Sequence, residues 1–348
     1  MKPLPKNRPW IPFFLFLCIL LTGLYLRVAS VNETLVVKPL RADAGDYFTY
    51  AFNLLHRNTY SREVGNLKDF HAPVKPDSVR SPGYPLFLTF FVEGLSFRSF
   101  LEKVVLSQAV LSSLTILLAF LLFKSFLTTA WALAASLFVA ISPHLIIPNS
   151  FVITESLFCF LLLLIGYVVS LFASRPSAIL ALLIGILIGL ASLVRPILEY
   201  LPFALGFWFL VEYRRRGGLR YCAALVFGFF LAFFPWILRN AITLGAFSDD
   251  TLLINFLHHG MYPNFTFEGV PESHGYPYLF DPRSPAISKD IASVLNEILR
   301  RFHLPRYELT LFFTESLSMD SLFYVHDSLA VDHPWWVSLF ACLVFFSR

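Results

Sequence analysis

Few residues in this chain have the type and placement to do chemistry, and they recur at the edges of apolar runs. Asp43 opens Asp43-Ala44-Gly45-Asp46-Tyr47, Arg80 opens Arg80-Ser81-Pro82-Gly83-Tyr84-Pro85, and Glu155, Arg195 and Arg239 each border an apolar stretch. A carboxylate held beside a hydroxyl can take its proton as a general base. Asp43 and Glu155 together would supply a base, or a base plus a ligand for water or a divalent metal. A guanidinium presents a planar fork that matches phosphate, so Arg80, Arg195 and Arg239 would ring the two acids with positive charge. That combination suits an anionic substrate anchored in a membrane by a lipid tail. His144, between Pro143 and Leu145, could face the same region, and Tyr47 and Tyr84 complete the substrate-binding set.

Each of these residues has a plainer reading. Asp43 would cap a helix over Ala44–His56, since Asp is a favoured N-cap, and Tyr47 and Tyr50 would share one face of that helix. Glu155 would be favoured at a helix N-terminus by the dipole. The arginines would snorkel to lipid headgroups, and His144 would be an interfacial structural histidine. Ionisable residues bordering membrane helices are nonetheless costly and tend to be functional. Two acids at one depth favour a site.

The elements that must position them are membrane helices. Of the 348 residues 57% are hydrophobic and 14% charged, with mean hydropathy +0.66. Soluble domains carry about 25% charged residues, so the chain reads as an integral membrane protein. Its net charge of +4 sits in short loops, where lysine and arginine orient helices, so it does not point to nucleic acid. Cys18, Cys159, Cys222 and Cys342 lie inside apolar runs without ligand spacing and read as small buried hydrophobes. His71, His258, His259 and His303 lack zinc-ligand spacing. No phosphate loop, dinucleotide fingerprint or zinc-protease motif is present. Asn32-Glu33-Thr34 and Asn264-Phe265-Thr266 are glycosylation sequons that chance accounts for.

Runs near 10–29, 103–123, 130–148, 154–173, 177–194, 197–213, 219–238 and 332–347 approach the roughly 20 residues a membrane helix needs. The first is too long for a signal-peptide core and reads as a retained helix. With eight spans, the cluster Lys2, Lys6 and Arg8, then Lys124, then Arg175, then Arg214, Arg215, Arg216 and Arg220 all fall on one face, the cytoplasmic one. This requires that the short apolar stretch 84–97, which contains Glu93, lie along the outer surface. Two outer regions follow, from Ser30 to Lys103 and from Arg239 to Asp332. The second carries a helical periodicity over 288–303. The last apolar run begins at Trp335-Trp336 and reads as a final span or the start of a truncated segment.

On these motifs and their order the chain resembles the GT-C superfamily of polyprenyl-phosphate-sugar glycosyltransferases. Its counterparts there are the protein O-mannosyltransferase (glycosyltransferase family 39-like), aminoarabinose-transferase and bacterial galacturonosyl/mannosyl-transferase-like families. Asp43 to Tyr47 fits the Asp-x-x-x-Tyr of the first outer loop; Leu54-Leu55 and Tyr60-Ser61 follow. Arg80 to Pro85 fits the entry to a surface helix, and Pro143-His144 with Thr154-Glu155 the proline turn and the acid after it. Arg195-Pro196 and Pro235-Trp236 with Arg239-Asn240 fit the later motifs. The resemblance covers about residues 10–245. Ala44 stands where many relatives have Glu, and relatives usually continue with more helices.

The resemblance implies an all-α polytopic bundle of about eight transmembrane helices. Residues 1–238 would form the catalytic module, 239–331 an outer polar region and 332–348 the last span. It implies an inverting transferase at the outer membrane face, with Asp43 as base, Glu155 as a second acid, and Arg80 on the lipid phosphate. The donor would be a polyprenyl-phosphate sugar and the acceptor a lipid, glycan or protein hydroxyl, with metal dependence open. The rivals are a flippase for a lipid-linked sugar and a non-catalytic assembly protein. The chain shows no paired interrupted helices in two related halves, which would have favoured the flippase.

Overall fold

Apolar runs punctuated by Gly, Pro and charge become helices. The computed structural model describes residues 10–65, 72–92 and 97–247. In chain order these form α1 (Trp10–Glu33), α2 (Asp43–Arg57), α3 (Gly83–Val92), α4 (Phe97–Lys124), α5 (Thr129–Ile141), α6 (Pro143–Ile146), α7 (Glu155–Ser174), α8 (Ala178–Val194), α9 (Leu201–Glu212) and α10 (Gly218–Leu244). By chain contacts the protein divides into Met1–Ser248 and Asp249–Arg348, and every described residue belongs to the first unit.

The helices α1, α4, α7 and α10 are long and apolar enough to cross a membrane, and α5 with 143–150 makes a bent fifth candidate. The shortest of the four long helices has 20 residues, about 30 Å at 1.5 Å per residue. Their unpartnered faces are aromatic: Phe13 and Phe14 of α1, Phe138 of α5, Phe207 of α9 and Phe227 of α10 are all exposed. Such surface is at home in lipid. Of the eight expected spans, 177–194 becomes the 17-residue α8 and 197–213 the 12-residue α9, both shorter than expected. Span 332–347 and helix 288–303 lie outside the described residues. The start of the expected polar region at 239 is helical, because α10 continues to Leu244.

The expected span 130–148 breaks by 63° between Ile141 and Pro143. Pro143 pushes Ser142 out of the helical region, to φ −65°, ψ 118°, and has no amide for the carbonyl of Val139. Arg27, wholly buried in α1, fills that gap. Its Nη2 donates to Val139 O at 3.1 Å, its Nη1 to Ala140 O at 2.9 Å and Gly23 O at 3.0 Å, and its Nε to Ser112 Oγ at 2.8 Å. One guanidinium thereby ties α1, α4 and α5 together at the negative end of the α5 dipole.

Helix α8 is the core of the other half. Ala181, Ile184, Ile188 and Ala191 are fully buried against Ile165, Val168 and Phe172 of α7 and Leu225 and Phe229 of α10. A Cβ at Gly185 would lie 2.0 Å from Leu225 O, and one at Gly228 2.2 Å from Leu182 O. The α8 and α10 backbones therefore touch, as small-residue helix pairs do in membranes.

A second cluster joins α2, α3 and the N-terminal part of α4: Ala44, Ala51, Tyr84, Leu88, Phe100 and Val104 pack with Val152 and Val194. This gathers the start of α2, the loop before α3, the start of α7 and the end of α8 at one end of the bundle. Lys124 ends α4, and Arg175 and Arg214–Arg216 follow α7 and α9, at the opposite ends of these helices.

Candidate active site

Asp43 is the first helical residue of α2 rather than its N-cap; Ala42 holds the cap position with φ 52° and makes no side-chain cap. The Asp43 carboxylate turns instead to Arg80, accepting a hydrogen bond from Nη2. One turn on, Asp46 accepts from Arg80 Nε at 3.1 Å. The two acids share one arginine but differ in access: the Asp43 side chain is 56% exposed, that of Asp46 30% and that of Arg80 21%. The Arg80 guanidinium also lies 5.8 Å from the Tyr47 ring. Burial works against its charge, yet Asp43, Tyr47 and Asp46 together lift its pKa above the ordinary arginine value.

Glu155 opens α7, as expected, and pairs with Arg195, which closes α8. Arg195 Nη2 donates to Glu155 Oε1, and its Nε donates to the buried hydroxyl of Thr154 at 2.8 Å. Its guanidinium carbon stands 5.7 Å from the Phe158 ring. The second carboxylate oxygen, Glu155 Oε2, is buried and makes no hydrogen bond among the described residues. Buried polar atoms are nearly always satisfied, so this oxygen is a ready acceptor.

Tyr47 lies beside Arg80 and within electrostatic reach of the second pair. Burial and then the Asp43 charge push its phenol up to about 12, with Arg80 and Arg195 opposing and Glu155 adding to the rise. One hydroxyl thus feels all four charged groups. Tyr47 meets the ring of Tyr84 edge-on at 5.1 Å. Tyr84, fully buried, donates to Gln108 Oε1, while Gln108 Nε2 donates to Phe151 O at 2.7 Å. Burial, then Tyr47 and Glu155, keep the Tyr84 phenol well above its usual range.

Gly83 permits this convergence. A Cβ there would sit 2.7 Å from the carbonyl of Leu193 and 2.8 Å from Val194 N, so only glycine lets the start of α3 lie on the end of α8 beside Arg195.

Two expected members of the set lie elsewhere. Arg239 does not join the ring of charge: its donors go to the carbonyls of Tyr60 and Asp77 and to Asn240. Its terminal nitrogens are engaged by these carbonyls and by Asn240 rather than turned to the acid pairs. His144 is exposed on the short α6 and joins neither pair. Conversely, Gln108 belongs to the site and carries no motif, while Asp46 and Thr154, which lie within the quoted motifs, join it as partners of Arg80 and Arg195. Asp46 had a further sequence signal, at i+3 from Asp43 on one helix face. Among the described residues no group of three or more His, Cys, Asp or Glu is placed to hold a metal ion.

The arrangement has defined chemical capacities. Asp43, the most exposed acid, can release Arg80 and accept a proton, and both guanidiniums can take an anion in place of a carboxylate. Compared with known proteins, the chain matches no family model and no curated protein sequence.

Proposed function

We propose that the protein is a membrane glycosyltransferase that moves a sugar from a polyprenyl-phosphate donor to an acceptor hydroxyl at the outer membrane face. The observation that carries this reading is the pairing of Asp43 with Arg80 and of Glu155 with Arg195 at one end of a bundle of membrane-length helices. The resemblance in motif order supports it.

In this reading the acceptor oxygen attacks the anomeric carbon while Asp43 takes its proton. The bond from the anomeric carbon to the phosphate oxygen breaks with inversion, and polyprenyl phosphate leaves as an anion. No general acid is required, because arginine charge stabilises the leaving group. Arg80 is the handle for that phosphate. Its two carboxylates must give way to it, and the exposed Asp43 is the one free to move toward the acceptor. The unpartnered Glu155 Oε2 is available to a sugar or acceptor hydroxyl. The bilayer holds the donor near the site and supplies proximity.

A second reading has its own observation. Every charge of the two pairs already has a partner within the protein, which suits a staple joining the first loop to the bundle in a non-catalytic assembly protein. Transfer separates the two. Purified protein given a labelled polyprenyl-phosphate sugar should release polyprenyl phosphate and form a glycoside of inverted configuration. Absence of transfer from a panel of such donors would favour the staple.

A further inference from the structure

Arg239 stands at the root of a chain of contacts that ends at Arg80. On α10, its Nη1 donates to Asp77 O at 2.8 Å and its Nη2 to Tyr60 O at 3.0 Å. The guanidinium carbon also lies 5.4 Å from the Tyr60 ring and 5.2 Å from that of Trp236, within cation–π range of both. Tyr60 in turn stacks on Tyr50 at 4.2 Å, and its hydroxyl donates to the carbonyl of Arg80 at 2.9 Å.

Asp77 is fixed just as closely. Its amide donates to Tyr60 O at 3.1 Å, and its carboxylate accepts from the Tyr50 hydroxyl, from Arg62 N at 2.8 Å and from Val79 N at 3.2 Å. The path from Asp77 to Arg80 is thus held at one end by Arg239 and Tyr50 and at the other by Tyr60. A backbone fixed at both ends fixes where the next side chain can reach. The Arg80 guanidinium meets Asp43 and Asp46 from this anchored position.

We propose that Arg239 is a positioning residue: through Tyr60 and Asp77 it sets the reach of Arg80 toward the anionic group of the substrate. The proposal rests on reading Arg80 as an anion handle. Lysine is a poor replacement for Arg239 here, because its compact ammonium lacks the planar fork that reaches Asp77 O and Tyr60 O from separate nitrogens.

Ser78 offers a reporter inside the anchored turn. It is buried, and its hydroxyl makes no hydrogen bond among the described residues, so Ser78→Cys removes none. In the 348-residue chain with Cys18, Cys159, Cys222 and Cys342 changed to alanine, Arg239→Lys should raise the maleimide labelling rate of the Ser78→Cys thiol about tenfold by loosening the turn. In parallel, binding of farnesyl phosphate is measured for wild type, Arg239→Lys, Arg80→Gln and the double variant. Arg239→Lys should weaken binding at least about threefold, with the double variant no weaker than Arg80→Gln alone.

Unchanged labelling overturns the positioning role, whatever the binding shows. Raised labelling with wild-type affinity also overturns it, since the anchor would then be structural only. Additive losses overturn it as well, because Arg239 would act independently of Arg80. If farnesyl phosphate fails to bind wild type, the anion reading of Arg80 falls, and the labelling rate alone decides whether Arg239 holds the turn.

Discussion

Arginines of this chain divide by the partner that holds them. Arg27 and Arg239 are tied by backbone carbonyls, at Val139 and Ala140 in one case and at Tyr60 and Asp77 in the other. Arg80 and Arg195 are tied by carboxylates. A carbonyl at a helix end or turn cannot leave without unfolding its segment. A carboxylate is a side chain that can rotate away, and a phosphate offers a guanidinium the same kind of ligand. Carbonyl-held arginines therefore build the frame, and carboxylate-held ones can exchange partners. Arg27 is 0% exposed, whereas the Arg195 side chain is 42% exposed.

Substitutions test that division directly. Arg27→Met should have the largest effect and only on stability. It strands the carbonyls of Val139 and Ala140, at a cost of about 1–3 kcal/mol each, which thermal unfolding in detergent would register while transfer per folded molecule holds. A stable variant that has lost transfer would move Arg27 into the functional class. Arg80→Ala should do the reverse, cutting transfer by about 10²-fold or more with little change in unfolding temperature. Collapse of the fold would place Arg80 beside Arg27.

Smaller effects sharpen the comparison. Arg195→Lys keeps the charge but cannot hold Thr154 and Glu155 through one planar fork; a loss of about tenfold in kcat/KM is expected. Tyr47 gives the finest reading. Its phenol is raised from 10.0 to about 12, so below pH 10 it is neutral in folded and unfolded chains alike. Between those values the unfolded chain ionises first, and the stability that Tyr47 contributes is lost as pH rises through the window. Wild type should lose stability over that range more steeply than Tyr47→Phe, and equal slopes would show that the Tyr47 phenol is not withdrawn from water.

Much of the site was legible because each part has a local signal. Helix α2 was expected over 44–56 and runs 43–57; Glu155 opens α7; Arg195 closes α8. The cap assignment at Asp43 failed because Arg80, 37 residues away, offers the carboxylate a stronger partner than a helix amide. Arg239 misled for a related reason. Its partners lie 162 and 179 residues away in a loop, and nothing local distinguishes an arginine held by carbonyls from one awaiting phosphate. Arg27 was read only as part of an apolar run, although Pro143 marked the helix break whose carbonyls it satisfies. Asp77 had a usable signal: Pro76-Asp77-Ser78 is turn chemistry, and Asp77 accepts from Val79 two residues on.

The bundle followed hydropathy more coarsely. Apolar runs located every described helix of membrane length. The bend at Ser142 and the shortness of α9 depend on prolines at 143, 196 and 202, which shape local backbone without lowering mean hydropathy enough to be seen.

The most direct measurement is the rate of sugar transfer from a labelled polyprenyl-phosphate donor by wild type and by Asp43→Asn, in the same detergent and at matched helix content. Asparagine keeps the shape of the Asp43 side chain and cannot take the acceptor's proton. A fall of about 10²- to 10⁴-fold with the fold retained is the expected result. Equal rates would contradict the role of Asp43 as base.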